Sequence, residues 1–252
     1  MVFETILDPL FWPVLKLPPV LGLLIISFAI SLIVTIVYKY TTNQAIMKNL
    51  REDIKSHQKK MKELRADPKK MMESQKKAME ANMQYMKHSL RPTLFTLIPI
   101  LIIFGWLNSH YAYQPLIPGQ DFNVSVTFRP GTAGTVELNI PEGFQLTSEK
   151  VQQVKEQNSW TLNTAKEGKY TLEFKQADRY YQKDVLITTQ PKYEQVKTVQ
   201  KDGGIDKIIL GNKEIKPFGA LNVFGWMPGW LATYIISQII FSLGLKKVFN
   251  LY

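Results

Sequence analysis

The sequence predicts a membrane α-helical protein with three transmembrane helices, a cytoplasmic antiparallel coiled-coil hairpin and an inserted extracellular all-β, sandwich-like domain. Three observations predict it: three stretches free of charge, a basic segment of helical period between the first two, and a segment of period two before the last.

Val20 to Val37 has no charged residue in eighteen, Leu94 to Leu107 none in fourteen, and Trp226 to Leu245 none in twenty. A bilayer core about 30 Å thick needs roughly 20 apolar residues as helix, so the first and third qualify on length. The second reaches that length when extended through Asn108 and Ser109 to Tyr113. The expected divisions are an outer-surface interfacial segment over 1–19, a first span over 20–38, a cytoplasmic helical hairpin over 39–91 and a second span over 92–113. An extracellular β-rich domain follows over 114–219, then a third span and short cytoplasmic tail over 220–252. The first span follows Pro13, Pro18 and Pro19 and has no small-residue cleavage site, which predicts a retained anchor rather than a removed signal peptide.

Charge sets the expected orientation. The net charge is +10, and residues 38–91 alone carry fourteen basic and six acidic residues, whereas 1–19 carry −1 and 111–219 carry +1. Lys and Arg near span ends stay in the cytoplasm, so the basic segment is expected inside, with Lys246 and Lys247. That makes a multi-pass protein of the cell membrane with its N-terminus outside and its C-terminus cytoplasmic. Cysteine is absent, which excludes disulfides, thiolate catalysis and cysteine-ligated metals.

The leading segment mixes Phe3, Ile6, Leu7, Leu10, Phe11 and Trp12 with Pro9 and Pro13, a pattern that suits the membrane surface better than a span. In the basic segment Met47, Leu50, Ile54, His57, Met61 and Leu64 recur at steps of three and four, the seam of a packed helix. Asp67-Pro68 pairs an N-cap with a favoured first helical residue. A second stripe follows in Met72, Met79, Met83, Met86 and Leu90. Two helices of roughly 22 residues, about 33 Å each, are expected to fold back on one another. From Asp121 the period becomes two: Phe122–Phe128, Thr135–Ile140, Trp160–Leu162, Tyr170–Phe174, Asp184–Thr189 and Ile205–Leu210 read as strands between Pro- and Gly-rich turns, a small sandwich.

Ser27, Ser31 and Thr35 share one face of the first span, continued by Lys39; Thr233, Ser237 and Gln238 lie on the third, near Ser242 and Lys246. These residues read either as the lining of a groove open to the cytoplasm or as small residues that let helices pack closely. Gln238 has the sharper requirement, since its amide needs a partner or water in lipid. Seven of the nine methionines, Met47, Met61, Met71, Met72, Met79, Met83 and Met86, lie in the hairpin. Methionine suits apolar surfaces of variable shape, so they are candidates for binding a client, the other reading being the hairpin's own seam. The basic residues point to anionic membrane lipids or ribosomal RNA, besides retention of the loop inside; no pattern for reading DNA accompanies them.

No HExxH, GxSxG, GxxxxGK[ST] or GxGxxG occurs, and no acidic residue lies inside a span. The expectation is a protein that is not an enzyme, with no cofactor and no metal. An oligomeric channel for ions or small solutes and a structural subunit of an envelope complex are the alternatives.

The run Ala66-Asp-Pro-Lys-Lys-Met-Met-Glu-Ser-Gln-Lys-Lys-Ala-Met-Glu-Ala-Asn-Met-Gln-Tyr-Met-Lys-His-Ser-Leu-Arg-Pro92, leading into the apolar Leu94 to Trp106, resembles the YidC-type insertase superfamily, in particular its archaeal branch. The resemblance covers residues 20–110 and 220–252. It implies a core of three spans with the N-terminus outside, a coiled-coil hairpin between the first two, and a hydrophilic groove through which nascent membrane proteins pass into lipid. Many bacterial members carry an arginine in the groove; the first span here offers Ser27, Ser31 and Thr35 instead. The β-rich insertion lies outside the core pattern.

Overall fold

A computed structural model describes residues 2–64, 67–219, 222 and 225–251, with the side chains of 2–4, 91 and 92 excepted. The chain forms two compact units, one of Met1–Gly105 with Leu231–Tyr252 and one of Trp106–Trp230.

The first unit is helical. Helix α1 spans Val2–Leu15, α2 Pro19–Thr41, α3 Gln44–Glu63, α4 Pro68–Tyr111 and, after the second unit, α5 Trp230–Val248. Among the described residues, three segments are long and apolar enough to cross a membrane: Pro19–Thr41, Thr93–Tyr111 and Trp230–Val248. At 1.5 Å per residue they measure about 35, 28 and 28 Å. The chain is thus a membrane protein by composition, with spans close to those expected.

Local signals explain the helix ends. Pro19 opens α2, where its missing N–H costs nothing. The Asn43 side chain caps α3, accepting from the amides of Ala45 at 3.1 Å and Ile46 at 3.2 Å. Asp67 does the same for α4, accepting from the Lys70 amide at 3.2 Å, with Pro68 at the first position. Ala66, where the quoted run begins, lies outside the described residues.

The segment over 1–19 contains a helix that runs through Pro9 and Pro13, with Ile6 and Leu10 exposed along it. One expectation needs correction: in place of a second arm of roughly 22 residues, the second arm and the second span are one helix of 44 residues, about 66 Å long. Pro92 and Pro99 do not break it, because ending a helix in apolar surroundings strands several backbone groups whereas one proline forfeits a single bond. The hydroxyls of Ser89, Thr93 and Thr96 return to the carbonyls of Met86, Ser89 and Thr93 across the same stretch.

The second unit is a β-sandwich. Its strands are β1 Phe122–Phe128, β2 Thr135–Asn139, β3 Gln145–Leu146, β4 Val151–Gln153, β5 Gln157–Asn163, β6 Gly168–Gln176, β7 Arg179–Ile187, β8 Lys197–Val199 and β9 Ile205–Leu210. One sheet runs β3-β5-β1-β9-β8 and the other β4-β2-β6-β7. Alternate residues point inward: Val124 and Val126, Trp160 and Leu162, Leu172 and Phe174, Ile208 and Leu210 share one buried core. Trp160 meets Phe174 edge-on at 5.5 Å and donates its indole N–H to the Glu149 carbonyl at 3.0 Å. Gly211 is obligatory for a different reason: a Cβ there would lie 2.6 Å from the Asn123 carbonyl oxygen, which its amide uses to continue the β1–β9 pairing. All six expected strands are present. The three additional ones, β3, β4 and β8, are two or three residues long and sit at sheet edges or hairpin ends.

Candidate functional site

Helix α2 buries Gly22, Leu23, Ile26, Ser27, Ile30, Ser31 and Thr35, a face on which the small residues permit close approach. The Ser31 hydroxyl donates to the Gln238 main-chain carbonyl of α5 at 3.3 Å, and the Thr35 hydroxyl turns back to the Ser31 carbonyl at 2.6 Å. Nearby, Phe28 meets Phe241 edge-on at 5.4 Å. On α5, Thr233 and Ser237 are buried as well, and Tyr234 packs edge-on against Phe104 of α4 at 5.2 Å. Helix α5 therefore leans on both other spans.

The structure brings Ser31 and Gln238 together and buries Ser27, Thr35, Thr233 and Ser237, with Gln238 only partly covered. In this conformation they lie in a packed seam, buried or partly covered. The reason lies in their size and in backbone bonding: a hydroxyl that serves a helix carbonyl needs no water. Two acceptors in the seam are nonetheless left over, since Ser27 Oγ and Gln238 Oε1 are buried without a hydrogen-bond partner.

The methionines divide sharply. Met47 is fully buried and belongs to the helix contacts, while Met61 and Met71 are partly buried and line a cavity of about 510 Å³ with Lys55, Gln58, Lys59 and Lys62. On α3 the expected seam holds: Met47 and Leu50 are buried, and Ile54, His57, Met61 and Leu64 are partly covered. On α4 the expected seam is replaced. Its covered residues are small, Ser74 and Ala81 with partly covered Met71, Ala78 and Tyr85, and the methionine stripe faces the other way. Ala and Ser let a neighbouring helix come close, whereas Met72, Met79, Met83 and Met86 all stand exposed, Met83 at 67%.

That exposed stripe does not stop at the arm. Met72, Met79, Met83, Met86, Leu90, Leu94, Leu97 and Leu101 are all exposed and follow one another at steps of 7, 4, 3, 4, 4, 3 and 4. With 3.6 residues per turn they lie within about 40° of one line for about 44 Å. Lys76 shares the line between Met72 and Met79; from Met79 onward the face is apolar for about 33 Å and joins the basic arm to the span.

Where the spans end there is a cavity of about 610 Å³, bounded by Arg51 and Ile54 of α3, Asn82 and Tyr85 of α4, and Leu243, Lys246, Lys247, Asn250 and Leu251 at the end of α5. Lys246 Nζ lies 4.9 Å from the Tyr38 ring centroid and Lys39 Nζ 5.3 Å from that of Phe249, which ties the ends of α2 and α5 together. Sequence reasoning reached Lys39 and Lys246 through the polar stripes but missed Arg51, Asn82 and Tyr85. Their convergence depends on how α3 sits against α4, which the small residues of the α4 seam decide.

In the sandwich, Lys183 is a buried cation. Its Nζ donates to the Gln195 carbonyl and, at 2.6 Å, to the Thr198 hydroxyl. Burial lowers its pKa to about 8, against the opposing pull of Glu194 and Asp184.

Three apolar helices, with a basic helical insertion between the first two, define an integral membrane protein. Residues 4–157 match the family model described as integral membrane protein EMC3/TMCO1-like, and the chain belongs to that family, itself part of the Oxa1/YidC/Alb3 insertase superfamily. The match takes in α2, α3, α4 and the first four strands of the sandwich; it does not single out an archaeal branch. No curated protein and no solved structure matches the chain.

Proposed function

We propose that this protein is a non-enzymatic membrane-protein insertase and chaperone of the cell membrane. Its N-terminus is outside, its C-terminus cytoplasmic, and α3 with the first half of α4 forms a cytoplasmic antiparallel coiled-coil hairpin. The sandwich is then extracellular. The superfamily supports the activity, and fourteen basic residues over 38–91 support the orientation.

One observation carries the mechanism: the apolar stripe that runs without interruption from Met79 to Leu101. A nascent hydrophobic segment meets the flexible methionines first, in water, where covering them is favourable. It then moves along the same face onto Leu90, Leu94, Leu97 and Leu101, and so into lipid without crossing a polar barrier. A charged flank that must follow costs at least ~2.5 to 3.5 kcal/mol at the bilayer centre. Parting of the α2–α5 seam supplies Ser27, Ser31, Thr35, Thr233, Ser237 and Gln238 to that flank, and the unused acceptors on Ser27 and Gln238 make the opening less costly. A second span of about 28 Å favours a locally thin bilayer, which lowers the same barrier.

Photo-crosslinking to ribosome-bound nascent membrane proteins of increasing length tests the reading. Probes at Met83, then Leu94, then Ser31 or Gln238 label the client in that order. Equal labelling from Ala81 on the covered face, or labelling of stable subunits alone, would refute it.

A further inference from the structure

We infer that the cavity at the span ends is a binding site for the phosphate-bearing headgroup of an anionic lipid. The inference stands apart from client handling, since it needs neither an orientation of the protein nor a nascent chain.

Charge makes the first argument. Arg51, Lys246 and Lys247 converge on a cavity of about 610 Å³ with no Asp or Glu in its wall. Among the described residues none of the three is ion-paired with a carboxylate. Some basic residues elsewhere on the hairpin are paired instead: Lys59, Lys70 and Lys77 meet Glu63, Asp67 and Glu73 along their own helices. Three cations that line one space without a carboxylate among them suit an anion from outside the chain. Asn82 and Tyr85 add neutral donors, and the Arg51 guanidinium presents the planar fork that suits two phosphate oxygens.

Depth and shape make the second. The charge-free stretch of α5 ends at Leu245, so Lys246 and Lys247 sit at headgroup level. Leu243, three residues further into the span, is exposed and also bounds the cavity. The wall is therefore cationic on one side and continuous with the apolar surface on the other. A free phosphate satisfies the first part only, whereas a phospholipid satisfies both. The volume falls in the range of small-molecule sites. Cation–π contact of Lys246 with Tyr38 holds one cation at the rim before any ligand arrives.

The test uses the delipidated full chain in detergent, titrated with phosphatidylglycerol or phosphatidylcholine and read by native mass spectrometry. Phosphatidylglycerol is retained in preference, and each cation removed weakens retention about fivefold. Arg51→Gln, Lys246→Gln and Lys247→Gln together abolish the preference. Lys59→Gln, Lys62→Gln and Lys76→Gln, which change the net charge equally outside the cavity, leave it intact. Asn82→Asp, nearly isosteric and so safe for folding, weakens retention by placing a carboxylate in the wall. Equal retention of phosphatidylcholine overturns the proposal, as does an equal loss in the outer triple variant. Displacement of the lipid by an equimolar amount of inorganic phosphate overturns it too, making the site one for a free anion.

Discussion

The Ser31 hydroxyl of α2 reaches the main-chain carbonyl of Gln238 on α5 at 3.3 Å, joining the first and last spans through a residue small enough to let the two backbones approach. The bond itself is modest. Interhelical hydrogen bonds in membranes average about 0.6 kcal/mol, so Ser31→Ala costs about that much. Ser31→Leu puts a branched side chain into a packed contact, and overpacking of this kind costs about 1 to 3 kcal/mol. Thermal unfolding in detergent gives the order wild type, Ala, Leu; a Leu variant as stable as wild type would mean that the seam is open in solution.

Gln238 carries the opposite prediction. Its Oε1 is buried and unpartnered, and such an acceptor costs on the order of 1 to 3 kcal/mol. Gln238→Leu removes it at similar volume, so the variant is more stable. It also removes a group the proposed mechanism uses for a polar flank, so insertion of a client with a charged translocated tail falls while insertion of an apolar client does not. A variant that is stabilised and inserts both clients normally would leave Gln238 without a part in function.

The methionines separate stability from capture. Met79→Gln, Met83→Gln and Met86→Gln act on exposed positions, where substitutions stay within about 0.5 kcal/mol each. They lower nascent-chain crosslinking with little change in melting. Met47→Ala does the reverse: the side chain is fully buried, and truncating it costs about 2 to 5 kcal/mol. Equal crosslinking losses in the two variants, after correction for folded protein, would remove the exposed stripe from the mechanism.

Much of this fold can be read from local pattern. Charge-free length marks the spans, Asp67-Pro68 the start of α4, and alternation six of the nine strands. What escapes is whatever depends on partners. Met72 and Met47 carry the same side chain at helical spacing, yet one is exposed and the other fully covered, because Ser74 and Ala81, inconspicuous in sequence, take the seam of α4. The short edge strands β3, β4 and β8 escape for a related cause: two or three residues show no period, and only the neighbouring strand defines them. The polar residues of α2 and α5 are recognisable as a face, but a face reads the same whether it lines a groove or closes one.

Lys183 gives the sandwich a pH dependence of defined sign. In the folded chain its pKa is lowered from 10.5 to about 8, chiefly by burial, while the unfolded chain keeps the ordinary value. Below about 8 both states hold the proton, and the cost of burying the charge is fully present. Between about 8 and 10.5 the folded state releases the proton while the unfolded state keeps it. The unfolded state then binds more protons, so stability rises with pH across this window and levels off above it. Solvent near the ammonium reduces the gain to about 1 to 2 kcal/mol. Thermal unfolding of the full chain, followed through its β-sheet amide signal, rises over this interval in wild type. Lys183→Met forfeits the bonds to Gln195 and Thr198 but also the titrating group, so its curve lacks this rise. A slope equal to that of wild type in the variant would assign the effect to another group.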